Sequence, residues 1–288
     1  MLGLAAGDAL GTTLEFKPRD RYEPLTDIVG GGPFDLPAGC WTDDTSMAMA
    51  LADSLATTGE FDARDLMQRF VSWWRDGKYS PTGTCFDIGI TTSRALAHFE
   101  SSGDPFAGST DPESAGNGSL MRVSPVAVWG LDRTEAEMRR VAREQSRTTH
   151  AAPQCLDACE AYAVMLAEAI RSGDRDAAYS AGASCEVGEP ILGILRGEWR
   201  DKPRHAIASS GYVVHSLEAA LWCVDETDSY AEAVLLAANL GNDADTTAAI
   251  AGQLAGALYG ATAIPVHWLE ILAWRAELEG LAERLLRA

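Results

Sequence analysis

Apolar positions recur every three to four residues along most of the chain, and strand-like alternation is nearly absent. Over 63–75, for example, Leu66, Met67, Phe70, Trp73 and Trp74 fall on one helical face, with Arg64, Gln68 and Arg75 among the polar residues around them. Helical spacing or composition predicts helices over 46–56, 63–75, 88–100, 133–144, 154–172, 175–185, 188–195, 211–223, 230–238, 247–259 and 266–286. The expected class is all-α. Gly, Pro and Asp mark the connections, most densely over 30–39 and 101–119, and neither stretch is long or polar enough to read as an interdomain linker. One domain over 1–288 is expected, without a solenoid repeat.

Gly252, Gly256 and Gly260 recur every fourth residue in the helix expected after Asp245, a stripe of small residues against which another helix can pack closely. Trp73, Trp74, Trp222, Trp268 and Trp274 read as core or subunit-contact residues rather than ligand platforms.

Composition narrows the partners. The 288 residues carry 42 acidic against 23 basic side chains, a net charge of −19, and a surface this acidic does not hold a nucleic-acid backbone by general electrostatics. A polyanionic ligand needs a local exception. The cysteines, Cys40, Cys85, Cys155, Cys159, Cys185 and Cys223, contain no CxxC pair and suggest a reducing, cytoplasmic setting. No basic leader or long apolar run follows Met1, and the longest apolar stretch, 248–259, is too short to span a bilayer. Signal peptide and membrane span are therefore not expected, and a monomer is.

Two acidic clusters change the picture. WTDDTSMAM at 41–49 and GNDADTT at 241–247 place hard oxygen donors 200 residues apart in sequence, Thr42, Asp43 and Asp44 in one and Asp243, Asp245 and Thr246 in the other. Carboxylates this dense repel one another unless a cation neutralises them, and Mg²⁺, Mn²⁺ and Ca²⁺ prefer oxygen ligands. Thr42 is a good N-cap, so Asp43 and Asp44 fall in a first helical turn, where either pair alone also suits a helix terminus. Asp243 and Asp245, two apart, point to opposite sides of a helix. Their convergence on one ion requires a loop or cap, and Gly241 supplies a non-helical lead-in.

Four further segments carry candidate chemistry. GDALGTTLEF at 7–16 holds Asp8 and Glu15, and CFDIGITT at 85–92 places Asp87 ahead of a helix. GNGSLMRVSP at 116–125 offers backbone amides that can approach phosphates, followed by Arg122. THAAP at 149–153 sets His150 before a Pro and a helix start. Singly, each is a weak signal.

In succession, GDALG, Glu15, TDDT, FDIGITT, GNGSLMR, THAAP, GYVVHSLEAALW and GNDADTTAAIAG resemble the ADP-ribosylglycohydrolase family over residues 3 to about 260. The resemblance implies a compact all-α, orthogonal helical bundle with two Mg²⁺ or Mn²⁺ ions at the floor of a cleft. It implies metal ligands at Thr42, Asp43, Asp44, Asp243, Asp245 and Thr246, and catalytic carboxylates at Glu15, Asp44 and Asp243. Asn117, Gly118, Ser119 and His150 match substrate contacts, and Asp87 faces the leaving group. One departure is His215, where an acidic residue is more usual.

Cleaving a glycosidic bond at a ribose passes through an oxocarbenium-like state and needs an acid for the leaving group and an activated water. A dimetal site serves the second need, and Glu15 is the candidate acid/base. The expected activity is release of ADP-ribose from a protein side chain, arginine favoured, or from a small ADP-ribosyl compound. Two alternatives stand beside it: a related dimetal hydrolase acting on another ribosyl or phosphoryl substrate, and a non-catalytic ADP-ribose-binding or structural relative.

Overall fold

The computed structural model describes residues 1–288 as helices and connecting loops without a sheet. Fourteen α-helices follow in order: α1 (Leu2–Gly11), α2 (Asp43–Thr58), α3 (Ala63–Asp76), α4 (Ile90–Ser102), α5 (Ser124–Trp129), α6 (Glu135–Arg147), α7 (Pro153–Ser172), α8 (Arg175–Ala183), α9 (Ile191–Leu195), α10 (Val213–Asp225), α11 (Tyr230–Ala238), α12 (Ala244–Tyr259), α13 (Val266–Ile271) and α14 (Arg275–Leu285). The all-α class is the one expected from the spacing. No helix is long and apolar enough to cross a membrane.

The bundle is built around α12, which packs on α1, α11, α10 and α7. Its closest neighbour is α1, a helix that sequence spacing did not predict. Gly3, Gly7 and Gly11 sit one turn apart on α1, and a Cβ on each would lie 2.3, 2.2 and 2.3 Å from the carbonyl oxygens of Gly252, Ala248 and Ala244. The residue numbers fall on α12 as they rise on α1, so the two helices run antiparallel with backbones in contact. Glycine lowers helix propensity, which hid α1 from a spacing argument, but here it allows the approach. Gly252 and Gly256 belong to this contact. Gly260 does not: it ends α12 at φ 77, and nothing lies near its missing Cβ.

Other differences have local causes. The single helix expected over 266–286 is two, α13 and α14, because Ala273 is drawn out of helical bonding: its N–H donates to Gly39 O at 3.0 Å and its carbonyl accepts from Trp41 Nε1 at 3.1 Å. Trp274 then takes a left-handed φ of 52 and packs edge-on to Trp41, ring centroids 5.5 Å apart. The short α5 was also unpredicted. It is held by Gln253 of α12, which accepts from Ser124 N at 2.8 Å and donates to Met121 O at 2.7 Å. All six cysteines are free.

The glycine contact sets a testable ranking. Gly7→Ala forces a Cβ onto the α12 backbone and should destabilise the protein by about 3 kcal/mol. Gly280→Ala, on α14 with open space around it, should instead stabilise by roughly 0.5–1 kcal/mol through helix propensity. Denaturant unfolding of both variants checks the order.

Candidate metal centre and cleft

The N-termini of α2 and α12 meet at the floor of a cleft of about 460 Å³ lined by Glu15, Phe16, Asp43, Asp87, Asn117, Gly118, His150, Asp243, Asp245 and Thr246, among others. Thr42 precedes α2 but makes no capping bond with its hydroxyl. The cap comes from α1: Asp8 accepts from Thr42 N and Thr42 Oγ1, both at 2.9 Å, and from Thr45 N and Thr45 Oγ1 at 3.0 and 2.6 Å. Glu15 does the same for α12, its Oε2 accepting from Ala244 N at 2.8 Å and Asp245 N at 3.4 Å. Each helix carrying an acidic cluster is thus capped by a carboxylate of the first fifteen residues. Asp243 occupies the N-cap position of α12 with non-helical φ −93 and ψ 67, and Gly241 leads in at φ 69. This is the loop-and-cap geometry that two aspartates two apart require.

Oxygen crowds the centre. Single oxygen atoms of Asp8, Asp44 and Asp245 lie within 4.8 Å of one another, and so do those of Glu15, Asp243 and Asp245. Asp245 is common to both groups. The Thr42 hydroxyl has one hydrogen and faces Asp8 at 2.9 Å, Asp44 at 3.3 Å and Asp245 at 3.3 Å, while Thr246 Oγ1 sits 3.2 Å from Asp44. Hydrogens are too few for these oxygens. Asp44 Oδ1 is buried without any partner, and an orphaned carboxylate oxygen inside an all-oxygen donor set is what a hard divalent cation satisfies. The buried acidic groups can therefore hold metal ions.

Burial raises the proton affinity of these groups. It pushes Asp8 and Asp243 up to about 7, with the Asp245 carboxylate adding to each, and Asp87 up to about 11, with Asp43 and Asp245 adding. Glu15, Asp43 and Asp44 lie far above the ordinary carboxylate range, again chiefly through burial. His150 moves the other way, down to about 3, through burial and then the charge of Arg122.

The walls are loops pinned in pairs. Asn117 N donates to Gly211 O at 3.0 Å and Val213 N to Ala115 O at 3.0 Å, while Ala151 N donates to Ser109 O at 3.0 Å, which fixes His150 opposite the 116–118 turn. Asn117 Nδ2 donates to Ser216 Oγ and to the Asp243 carboxylate. Asp87, at φ 59 before α4, reaches the floor from the far side.

Not every expected residue points inward. Ser119 is fully buried, its Oγ accepting from Ser146 Oγ at 2.8 Å, and its side chain does not line the cleft. Arg122 is also fully buried beneath the turn rather than offered to a phosphate. His215 bonds Ser210 and lies on a separate surface with Arg19 and His205. Conversely, Asp8 belongs to the centre, although the acidic-cluster argument left it out of the ligand set. Its position in GDALG, between two glycines one turn apart, was the available signal.

A family model for ADP-ribosylglycohydrolase matches residues 1–288, and the chain belongs to that family. It is 45% identical to the ADP-ribosylarginine hydrolase Tri1 of Pseudomonas putida over 285 residues, covering 99% of this chain and 76% of the relative. The Serratia proteamaculans protein of the same name is 44% identical, with 99% and 77% covered. The ADP-ribosyl-[dinitrogen reductase] glycohydrolase of Rhodospirillum rubrum is 33% identical, with 96% and 90% covered. A solved ADP-ribosylglycohydrolase-related protein complex has a chain that matches with a TM-score of 0.87 and 39% identity, over 99% of this chain and 95% of that one. The resemblance carried by the motif succession is borne out.

Carboxyls that bind protons more tightly folded than unfolded favour the metal-free fold at low pH. Stability should rise as the pH falls from 8 through about 7, where Asp8 and Asp243 take up protons, and level off near the unfolded carboxylate value of about 4. A divalent cation favours the ionised form. Saturating Mg²⁺ should therefore raise the melting temperature most at pH 8, by an amount reflecting about 2.7 kcal/mol at a hundredfold excess over the dissociation constant, and less toward pH 5. Melting scans with Mg²⁺ and with EDTA across this range check the trend; a shift of equal size at every pH contradicts it. Asp245→Asn removes the charge shared by both groups. It should raise the metal-free melting temperature and remove most of the Mg²⁺ increment.

Proposed function

We propose that the protein hydrolyses the N-glycosidic bond of ADP-ribosylated arginine and releases ADP-ribose. The observation that carries the reading is the 45% identity to an ADP-ribosylarginine hydrolase across 99% of this chain. The site chemistry supports it, since a cleavage through an oxocarbenium-like state calls for a proton at the leaving group and an activated water.

Two oxygen groups joined by Asp245 support a pair of Mg²⁺ or Mn²⁺ ions, with Asp8, Thr42, Asp43, Asp44, Asp243, Asp245 and Thr246 as the holding residues. Such ions, when bound, supply Lewis-acid stabilisation of oxygen ligands and acidify water. Glu15 holds the proton for the leaving nitrogen: its Oε2 is fixed by the α12 amides, and its carboxyl lines the cleft beside Asp245. Asp87, across the cleft, orients the departing guanidine. Asn117 and the amide of Gly118, both on the cleft wall, bind the pyrophosphate and ribose, where an acidic protein must supply local donors, while Ser119, expected there too, acts only by holding the turn from beneath. Asp44 and Asp243 would give up their protons as the ions bind and balance their charge, and Asp243 is itself positioned by Asn117.

The test is mass spectrometry of products from arginine-, serine- and acetyl-linked ADP-ribose, with Mg²⁺ and with EDTA. Cation-dependent release of free ADP-ribose from the arginine conjugate is expected. Release from the serine or acetyl conjugate alone would overturn the substrate assignment while leaving the hydrolase. Glu15→Gln should slow the chemical step by roughly 10²–10⁴-fold with little change in ADP-ribose affinity, read by single-turnover kinetics and calorimetry. A wild-type rate would move the proton donor to Asp87.

A further inference from the structure

Arg122 is a fully buried cation with no carboxylate in contact. Its guanidinium lies over Phe70, 4.6 Å from the ring centroid. Its donors go to neutral oxygens: Nε to Gln145 Oε1 at 2.9 Å, Nη1 to Gly118 O at 3.1 Å, and Nη2 to Gln145 O at 2.9 Å, Thr148 Oγ1 at 3.3 Å and Thr149 Oγ1 at 2.9 Å. A guanidinium has donors and no acceptor, so every one of these bonds has a fixed direction.

Direction propagates through Thr149. Its buried hydroxyl accepts from Arg122 and has one hydrogen of its own to place, and the acceptor in reach is His150 Nδ1 at 2.8 Å. If Nδ1 carried the imidazole proton, the threonine hydrogen would be buried without a partner, an arrangement folded proteins avoid. The proton therefore sits on Nε2. That edge of the ring lies against the 116–118 turn, where a Cβ on Gly118 would be 2.7 Å from Cε1 and one on Gly116 would be 3.3 Å from Nε2. The ring lines the cleft, and no protein atom accepts from Nε2.

We infer that Arg122 and Thr149 are positioning residues that lock His150 in its neutral Nε2–H form, so that the imidazole presents one pre-aimed donor to an anionic or hydroxyl oxygen of the ligand. This rests on the proposed ADP-ribose chemistry for the identity of that oxygen, but the tautomer itself does not. In a cleft dominated by carboxylates, an imidazole free to turn its lone pair inward would repel a pyrophosphate. The relay forbids that state. It also excludes His150 as a base at the reacting centre, because its one basic nitrogen is already occupied by the Thr149 hydroxyl. Arg122 serves both walls at once, since the same guanidinium holds Gly118 O and Thr149 Oγ1.

Nitrogen-15 correlation spectra of the Mg²⁺-loaded protein report the tautomer directly, with the His150 signals assigned by their loss in His150→Gln. The wild-type protein should show Nε2 protonated and Nδ1 bare. Thr149→Ser, which keeps the hydroxyl, should retain that pattern and the wild-type ADP-ribose affinity, whereas Thr149→Val, which leaves the bare Nδ1 without its donor, should move the Nδ1 resonance downfield toward that of an unbonded nitrogen, free the ring to turn and weaken ADP-ribose binding roughly tenfold. A wild-type spectrum with Nδ1 protonated, or an unchanged Nδ1 resonance and affinity in a folded Thr149→Val, would overturn the relay. Should the wild-type protein show the Nε2–H form yet not bind ADP-ribose, the relay stands and the functional reading falls.

Discussion

The backbone contact between α1 and α12 is the constraint on which the remaining geometry depends. With glycine at 3, 7 and 11 the two helices touch at carbonyl distance, and α1 is buried along nearly its whole length. That depth is what allows Asp8, the residue after Gly7, to reach the first turn of α2 from below. Leaving α1, the chain makes one further tight turn and places Glu15 under the first turn of α12. A side chain at any of the three glycines would push α1 outward, and both caps would move with it. Packing and chemistry are thus set by the same three missing Cβ atoms.

Two helix N-termini aimed at one point bring a partial positive charge, and acidic side chains near them are favoured by it. The benefit is limited. Asp8 takes the amides of Thr42 and Thr45 at α2, Glu15 takes those of Ala244 and Asp245 at α12, and Thr246 N turns to Asp245 Oδ1 at 2.7 Å. Few backbone donors then remain for Asp43, Asp44 and the second oxygen of Asp245. The helix-terminus reading of the acidic clusters accounts for part of their charge and leaves the orphaned Asp44 oxygen unexplained. A divalent cation accounts for the rest, because it neutralises several oxygens at once where each amide satisfies only one.

The fold class was legible because long amphipathic helices announce themselves by spacing, and the acidic blocks were legible because their residue types are rare together. Less accessible were features that depend on distant contacts. Helix α1 violates the propensity rule its own sequence suggests, and only the facing surface of α12 explains why. The break at Leu272 to Trp274 follows from hydrogen bonds to Gly39 and Trp41, more than 230 residues away. Asp8 looked like one acid in a weak motif until α1 was seen to run beneath both clusters. Ser119 and Arg122 sit in a stretch whose type reads as phosphate-binding, but the turn sends Asn117 and Gly118 to the cleft and the other two into the core.

Left-handed backbone also shapes the step from the floor to the rim. Phe16, Asp87 and Asn242 all adopt left-handed backbone, at φ 61, 59 and 61, a conformation that asparagine and aspartate tolerate better than phenylalanine. Phe16 is held there by its N–H to Asn242 O at 2.7 Å, returned by Asn242 N to Lys17 O at 2.8 Å. The twist has a consequence for its neighbour. Glu15 is 4% exposed and Phe16 is 65% exposed, so one left-handed residue turns the carboxylate onto the α12 amides and the aromatic ring out over the cleft, where it meets Phe34 and, through it, Phe86 next to Asp87. Relaxing Phe16 to ordinary backbone would reverse that alternation and withdraw Glu15 from the floor. The cost of the left-handed turn is therefore tied to the placement of the one glutamate that the site contains, as strain at functional positions often is.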